Sequence, residues 1–257
     1  MRTVDGYQVV TVAERDGLDD AIDAMVYDVW PRYVTEGTTR GYSDYIPDWY
    51  GMFRRWPHLQ FGLFAEDGEM VACGNGLAFA WDGDPDSLLD TGWDWVMDQG
   101  RVDFEAGRAP NTFVGLSVSI PAAHQGKGLS KSAVQVMHVL AREHGLTRLI
   151  VPVRPNFKAR YPLIPIDDYI SWTNADGLPF DPWMRVHARL GARVLKPCHR
   201  AMTIGGRVAE WQEWTGVPLP GSGQYTLPEL LSPLSVDRAA DRCVYVEPNV
   251  WMEHVVK

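Results

Sequence analysis

Residues 118–132 run Val118, Ser119, Ile120, Pro121, Ala122, Ala123, His124, Gln125, Gly126, Lys127, Gly128, Leu129, Ser130, Lys131, Ser132. They are residue types that hold a phosphate. Without side chains, Gly126 and Gly128 let backbone N–H groups approach an anion closely. A helical pattern begins straight after them, and the first turn of a helix has N–H groups with no intrahelical partner. The helix dipole adds partial positive charge at the same place. Two common phosphate patterns fail. Ser130 and Gln125 stand where the glycines of G-x-x-x-x-G-K-[ST] belong. Lys131 replaces the third glycine of G-x-G-x-x-G. Lys127 and Lys131 flank the loop, and Lys158 and Arg160 are further candidates for an anion.

An apolar stretch, 113–120, precedes the loop and reads as a strand. Residues 129–144 form the helix after it, with Val134, Met137, Val139 and Leu140 inward and Gly145 closing it. Residues 148–153 read as a fully apolar central strand. Upstream, Tyr7 to Ala13 alternates as a strand, and Leu18 to Trp30 has helical spacing. A loop follows from Thr35 to Tyr50, then a short helix near Trp49 to Arg54. A hairpin is expected over 58–65 and 70–81, and a helix over 88–99. Downstream, Tyr161 to Asp181 contains Pro162, Pro165 and Pro179, so it is not one long helix. A helix over 182–190 and strand structure over 193–204 complete the core. Residues 208–257, rich in Pro, Trp and Gly, are expected to pack on it, because Trp211, Trp214 and Trp251 need burial.

Composition excludes more than it assigns. The chain has 257 residues, 46% hydrophobic content and a net charge of −9. It can bury a full core as one large or two small domains. Nucleic acid is an unsuitable partner for so acidic a chain. No apolar run approaches the roughly 18 residues that cross a bilayer, and residues 1–12 carry no signal-peptide core. Cys73, Cys198 and Cys243 are scattered and odd in number, which fits a reducing cytoplasm. No His pair has metal-ligand spacing with a third carboxylate, so no metal is expected. No G-x-S-x-G elbow is present.

Gln125, Gly128 and Ser130 fit [QR]-x-x-G-x-[GA], with Ser130 in place of the usual Gly or Ala. This loop resembles the acyl-CoA diphosphate loop of the GCN5-related N-acetyltransferases (GNAT), and the order of elements over about 7–204 is similar to theirs. The resemblance implies a mixed α/β fold. Its sheet is mostly antiparallel, flanked by helices, with one splayed parallel strand pair: the strand before the loop and that over 148–153. It implies a domain over 1–205 with an insertion at about 161–181, and a C-terminal extension over 206–257 packed on the core. The family follows the second strand with Asn-x-x-Ala, matched here by Asn156 to Ala159.

The same resemblance implies acetyl-CoA or another acyl-CoA as co-substrate and a small-molecule acceptor, an amine, attacking the thioester directly. The cofactor-binding set it implies is Val118, Ser119, Ile120, Gln125, Gly126, Lys127, Gly128, Leu129, Ser130 and Asn156. An amine with pKa near 10.4 must lose a proton at a cost of about 4 to 5 kcal/mol near pH 7, so a base is expected. Glu105, upstream of the strand that reaches the thioester, is one candidate; a solvated loop carboxylate is its other reading. Tyr161, five residues after Asn156, is a candidate acid for the departing sulfur; a packed turn tyrosine is its other reading. His124, just before the loop, could reach a phosphate, with an exposed loop histidine as its other reading; His138 and His187 read as helix-surface or core residues. Tyr42, Tyr45, Trp49, Tyr50, Trp93 and Trp95 read as an aromatic acceptor pocket or as large packing residues, and Asp44, Asp48, Asp82, Asp84 and Asp86 as a pull on a cationic amine or as solvated turn residues. A GNAT-fold enzyme with altered chemistry, such as acyl-thioester decarboxylation, and a non-catalytic CoA-binding protein both stay open. A monomer or a homodimer is compatible with all of these.

Overall fold

The computed structural model describes residues 2–45 and 47–256. The chain runs β1 (Arg2–Val4), β2 (Tyr7–Thr11), α1 (Leu18–Val29), α2 (Arg32–Thr35), α3 (Trp49–Arg55), β3 (Phe61–Phe64), β4 (Met70–Phe79) and α4 (Gly92–Glu105). It continues through β5 (Thr112–Ser119), α5 (Leu129–Glu143), β6 (Arg148–Val153), α6 (Ile166–Ile170), α7 (Pro182–Arg189) and β7 (Arg193–Gly206). It closes with α8 (Val208–Thr215), β8 (Gly223–Tyr225), β9 (Leu234–Asp237) and β10 (Arg242–Val255).

These strands form one 10-stranded sheet in the order β1-β2-β3-β4-β5-β6-β10-β9-β8, with β7 also paired to β10. Every pairing is antiparallel except β5 with β6. The core follows from the apolar faces noted above. Leu149 to Val153 is buried throughout, as a strand covered on both faces must be. In α5, Leu129, Ala133, Val136, Met137 and Leu140 form the inward stripe; Val139 stands beside it, half-buried.

Two features position the site. The first is the parallel pair. It is in register only from Thr112 opposite Arg148 to Val114 opposite Ile150. Both strands run on past that point, β5 to Ser119 and β6 to Val153, without further pairing to each other. A bulge explains the parting. Against β4, Asn75 faces Ser117 but Gly76 faces Gly115, so Leu116 is an extra residue on β5. Such a residue stands outside the ladder and bends its strand. A buried polar chain pins the bend: Ser117 Oγ donates to Asn75 Oδ1 (2.8 Å), Asn75 Nδ2 to Gln60 Oε1 (3.2 Å), and Gln60 Nε2 to Gly76 O (2.6 Å).

The second is β10. Residues 206–257 do more than pack on the core: β10 enters the sheet between β6 and β7, in register from Val250 opposite Val153 to Val255 opposite Arg148. Trp251 is fully buried there and donates to Leu89 O (3.1 Å). The proline-rich stretch folds into α6 and a ring cluster of Tyr161, Tyr169, Trp172 and Phe180, in which Tyr161 and Trp172 meet edge to face at 5.1 Å. Buried Asp181 ties that cluster to α7. Its Oδ1 accepts from Trp183 N (2.9 Å) and Met184 N (3.1 Å), and its Oδ2 from Phe157 N (2.8 Å) and Tyr169 Oη (2.9 Å).

Candidate active site

The loop of Gln125 to Ser130 leaves β5 and enters α5. Gln125 Nε2 donates to Ile120 O (3.1 Å), which fastens the loop to the strand end. Gly126 and Gly128 take φ of +76° and +82°, left-handed values that suit glycine. A Cβ on either would meet no heavy atom within 4 Å, so space lies open over both. Gly128 is the N-cap of α5, and its carbonyl accepts from Lys131 N and Ser132 N, leaving the earlier amides of the first turn outside the helical ladder.

A single cavity of about 880 Å³ runs from this loop through the parted strands. Gln125, Gly126, Gly128, Leu129 and Ser130 line one end, with Val118 and Ile120 beside them. Gly115, Leu116 and Ser117 of β5 face Val151, Pro152 and Val153 of β6 in the middle. Asn156, Trp183 and His187 also line the wall. The far end carries Tyr27, Trp49, Tyr50 and Trp93, with Thr38, Thr39 and Arg40. There Trp49 and Trp93 stack at 6.3 Å, Trp49 Nε1 donates to Asp23 Oδ1 (3.1 Å), and the Tyr27 and Tyr50 hydroxyls stand 3.3 Å apart.

The structure therefore brings most of the expected cofactor set to one surface. Two members stand off it. Ser119 is buried and its Oγ accepts from Trp30 Nε1 (2.9 Å), and Lys127 is exposed outside the cavity lining. Glu105 ends α4 away from the cavity, held by Arg101 (2.7 Å) and Arg55 (3.8 Å). Tyr161 sits in the ring cluster of the insertion and is not part of the cavity lining. Lys158 turns inward. Its ammonium is buried and donates to Tyr161 O (2.8 Å) and Leu231 O (2.7 Å), and burial lowers its pKa to about 8. It presents no charge to a phosphate. The acidic turn residues serve their own backbone: Asp48 caps α3 and pairs with Arg55 (2.7 Å), while Asp82 and Asp84 hold the turn up to Ser87. His124 lines the cavity and meets Glu69 at 3.1 Å.

Two polar atoms at the cavity had no sequence signal of their own. Asn249 Oδ1 and His187 Nε2 are buried, on residues that line the cavity, and have no hydrogen-bond partner among the described residues. Asn249 Nδ2 donates to Pro152 O (3.2 Å), which fixes the side chain across β6 and β10. Among the described residues no group of three or more His, Cys, Asp or Glu could hold a metal ion, and no helix is long and apolar enough to cross a membrane.

No family model matches the chain. A curated relative, the arginine N-acetyltransferase avaD of Aspergillus versicolor, is 28% identical over 280 residues, covering 98% of this chain and 94% of its own. Among solved structures, the loading GNATL domain of CurA from Lyngbya majuscula superposes with a TM-score of 0.60 at 18% identity, covering 97% of this chain and 98% of its own. A GphF GNAT-like decarboxylase in complex with isobutyryl-CoA gives 0.60 at 14% identity, over 97% and 100%. The chain thus has the fold of the GCN5-related N-acetyltransferases and is similar over nearly its whole length to one arginine N-acetyltransferase.

Proposed function

We propose that the protein transfers an acyl group, acetyl being the simplest, from acyl-CoA to an amine of a small molecule. The observation that carries this reading is the continuity of the cavity: one space joins the amide-lined loop, the parted strands and an aromatic far end. In this reading the diphosphate lies on the amides of 125–130, in the space over Gly126 and Gly128. The pantetheine arm takes the place of the missing strand-to-strand bonds between β5 and β6. Asn249 Oδ1, an acceptor without a donor, suits an amide N–H of that arm. The thioester then reaches the bulge at Leu116, where amides stand outside the ladder and can donate to the oxyanion.

The far end suits an amine by its walls. The faces of Trp49, Trp93, Tyr27 and Tyr50 attract a cation, and Asp23 stands behind Trp49. The named activity of the full-length relative, acetylation of arginine, makes L-arginine the first acceptor to try. Holding amine and thioester in one groove removes the entropy of their encounter. The amine nitrogen bonds the carbonyl carbon, the C–S bond breaks, and one proton is released overall: RNH3+ and R′CO–SCoA give RNH–COR′, CoASH and H+.

The test is release of free thiol from acetyl-CoA across an amine panel that includes L-arginine, with mass spectrometry of the products. N-acylated product with one thiol per turnover is expected. Thiol release without an acylated amine, or CO2 release from malonyl-CoA with no transfer to any amine, would contradict the reading.

A further inference from the structure

His187 is 1% exposed on α7 and lines the cavity. Its Nδ1 lies 2.9 Å from Nε2 of His254, a fully buried ring on β10. The other nitrogen of that ring, Nδ1, lies 3.1 Å from Nε2 of His138, a partly exposed ring on α5. Three imidazoles from three elements thus stand in file. At the inner end one nitrogen, His187 Nε2, is buried and unpartnered among the described residues. Leaving a buried polar atom unsatisfied disfavours the folded state. Such a cost is sensible where the atom meets something that comes and goes. The Trp183 ring, 4.4 Å away, packs on His187 and fixes its plane.

We propose that His187 Nε2 exchanges protons with the reacting groups, and that His254 and His138 pass those protons between it and solvent. The proposal rests on the acyl-CoA reading above and assigns the base that reading requires. With three neutral rings, protons sit on His187 Nδ1, His254 Nδ1 and His138 Nδ1, and His187 Nε2 is bare. A proton taken from the ammonium at Nε2 lets each ring hand its own to the next: His187 Nδ1 to His254 Nε2, then His254 Nδ1 to His138 Nε2. The proton on His138 Nδ1 leaves. The file now holds a proton on His187 Nε2, the form that protonates the departing sulfur. Giving it up, with one proton regained at His138 Nδ1, restores the first arrangement. The second proton of the attacking nitrogen leaves to water in the cavity, so one proton is released per turnover.

The surroundings keep the file neutral. Burial holds His187 well below 6.5, with His254 and His138 acting in the same direction. Burial, then His138, holds His254 down to about 4, against a smaller upward pull from the Leu190 carbonyl. Burial, then the Arg142 guanidinium, lowers His138. Glu253, next to His254 on β10, is engaged by Arg148 (2.6 Å) and Arg193 (2.6 Å). Ring shuttling without a lasting imidazolium is what such an environment favours.

The experiment compares the wild type with His187→Ala, His187→Gln and His138→Ala, using acetyl-CoA and the amine the wild type turns over best. His187→Ala is expected to lower kcat near pH 7 by about 100-fold, the scale of a lost general base, with CoA affinity by calorimetry unchanged within about twofold. Added imidazole is expected to restore part of that rate, and His187→Gln to fold normally without restoring it. The wild-type rate should be flat with pH above 7; that of His187→Ala should climb toward the pKa of the amine. His138→Ala should make turnover depend on buffer concentration. In the whole wild-type protein, nitrogen NMR at pH 6 should report His187 neutral and bare at Nε2. Turnover of His187→Ala within twofold of wild type with the same pH profile, or an imidazolium at His187, overturns the relay. Failure of the wild type to bind CoA overturns the underlying reading instead, and the NMR measurement still decides the ring states.

Discussion

Asp94 shows how a single buried side chain sets the pH response. It is 1% exposed, its Oδ2 accepts from Thr203 N (3.0 Å), and its Oδ1 has no partner among the described residues. Burial, with Glu247 adding repulsion, raises its pKa to about 7. The folded state therefore holds a proton that the unfolded state gives up, and this stability is present below pH 3.8 and lost as pH rises toward 7. Asp94→Asn should raise the stability of the protein at pH 8 by about 1 to 3 kcal/mol, and the gain should vanish near pH 4. Denaturant titrations of both proteins at the two pH values check this; an equal difference at both would refute it. At this scale the glycine turn at the start of α5 was legible because Gly126, Gly128 and the helical pattern after them lie together in the sequence. His187 was not, because the ring that defines it, His254, is 67 residues away, and His138 is a further partner of that ring across 116. Lys158 misled for a related reason: a lysine near a loop reads as a surface charge until Leu231 O, 73 residues on, is seen to hold it.

Among the elements, α7 carries His187 and depends on its cap. Asp181 Oδ1 and Oδ2 accept four hydrogen bonds, two from the first turn of α7 and two from the insertion and the turn after β6. Asp181→Ala would leave those donors to water or unpaired. It should destabilise the protein by about 3 kcal/mol or more, above the usual value for a helix cap because the site is buried. It should also lower kcat more than it weakens CoA binding, because the helix that aims His187 loosens while the loop does not. Thermal unfolding together with calorimetry on the same variant distinguishes these; unaltered stability would contradict the role given to this side chain. The longer helices α1, α4, α5 and α7 and the strands β2 to β7 were readable in the sequence, whereas the short α2, α6 and α8 drew no expectation. The bulge at Leu116 was not, because it is defined by the partner strand, where Asn75 and Gly76 take up Ser117 and Gly115.

Across the whole molecule, β10 ties the C-terminal residues into the sheet between β6 and β7. Its sequence hides it. Glu247, Glu253 and His254 interrupt the apolar pattern, and all three are buried by partners far along the chain. Glu247 is the clearest: its carboxylate takes Arg154 Nε at 3.0 and 2.9 Å and the Tyr245 hydroxyl at 2.9 Å, while Arg154 Nη2 reaches Glu229 O at 2.7 Å. This joins the main core to the smaller one around Tyr33, Trp211 and Tyr245. Glu247→Gln leaves the half-buried Arg154 guanidinium without its counter-charge, and should cost about 1 to 3 kcal/mol. One unfolding transition should move down as a unit, with tryptophan fluorescence and circular dichroism still coincident. Two separate transitions would mean that residues 206–257 fold on their own.

The central claim is that backbone amides between Gln125 and Ser130 hold the diphosphate of CoA. The most direct measurement is a calorimetric titration of CoA into the wild type and into Gly126→Val, Gly128→Val and the double variant, each checked for folding by circular dichroism. Saturable one-to-one binding by the wild type, weakened at least about 100-fold in the folded double variant, is the predicted result, since a side chain at either position fills the space over the amides. Equal affinity in the folded double variant, or no binding by the wild type, would contradict the account.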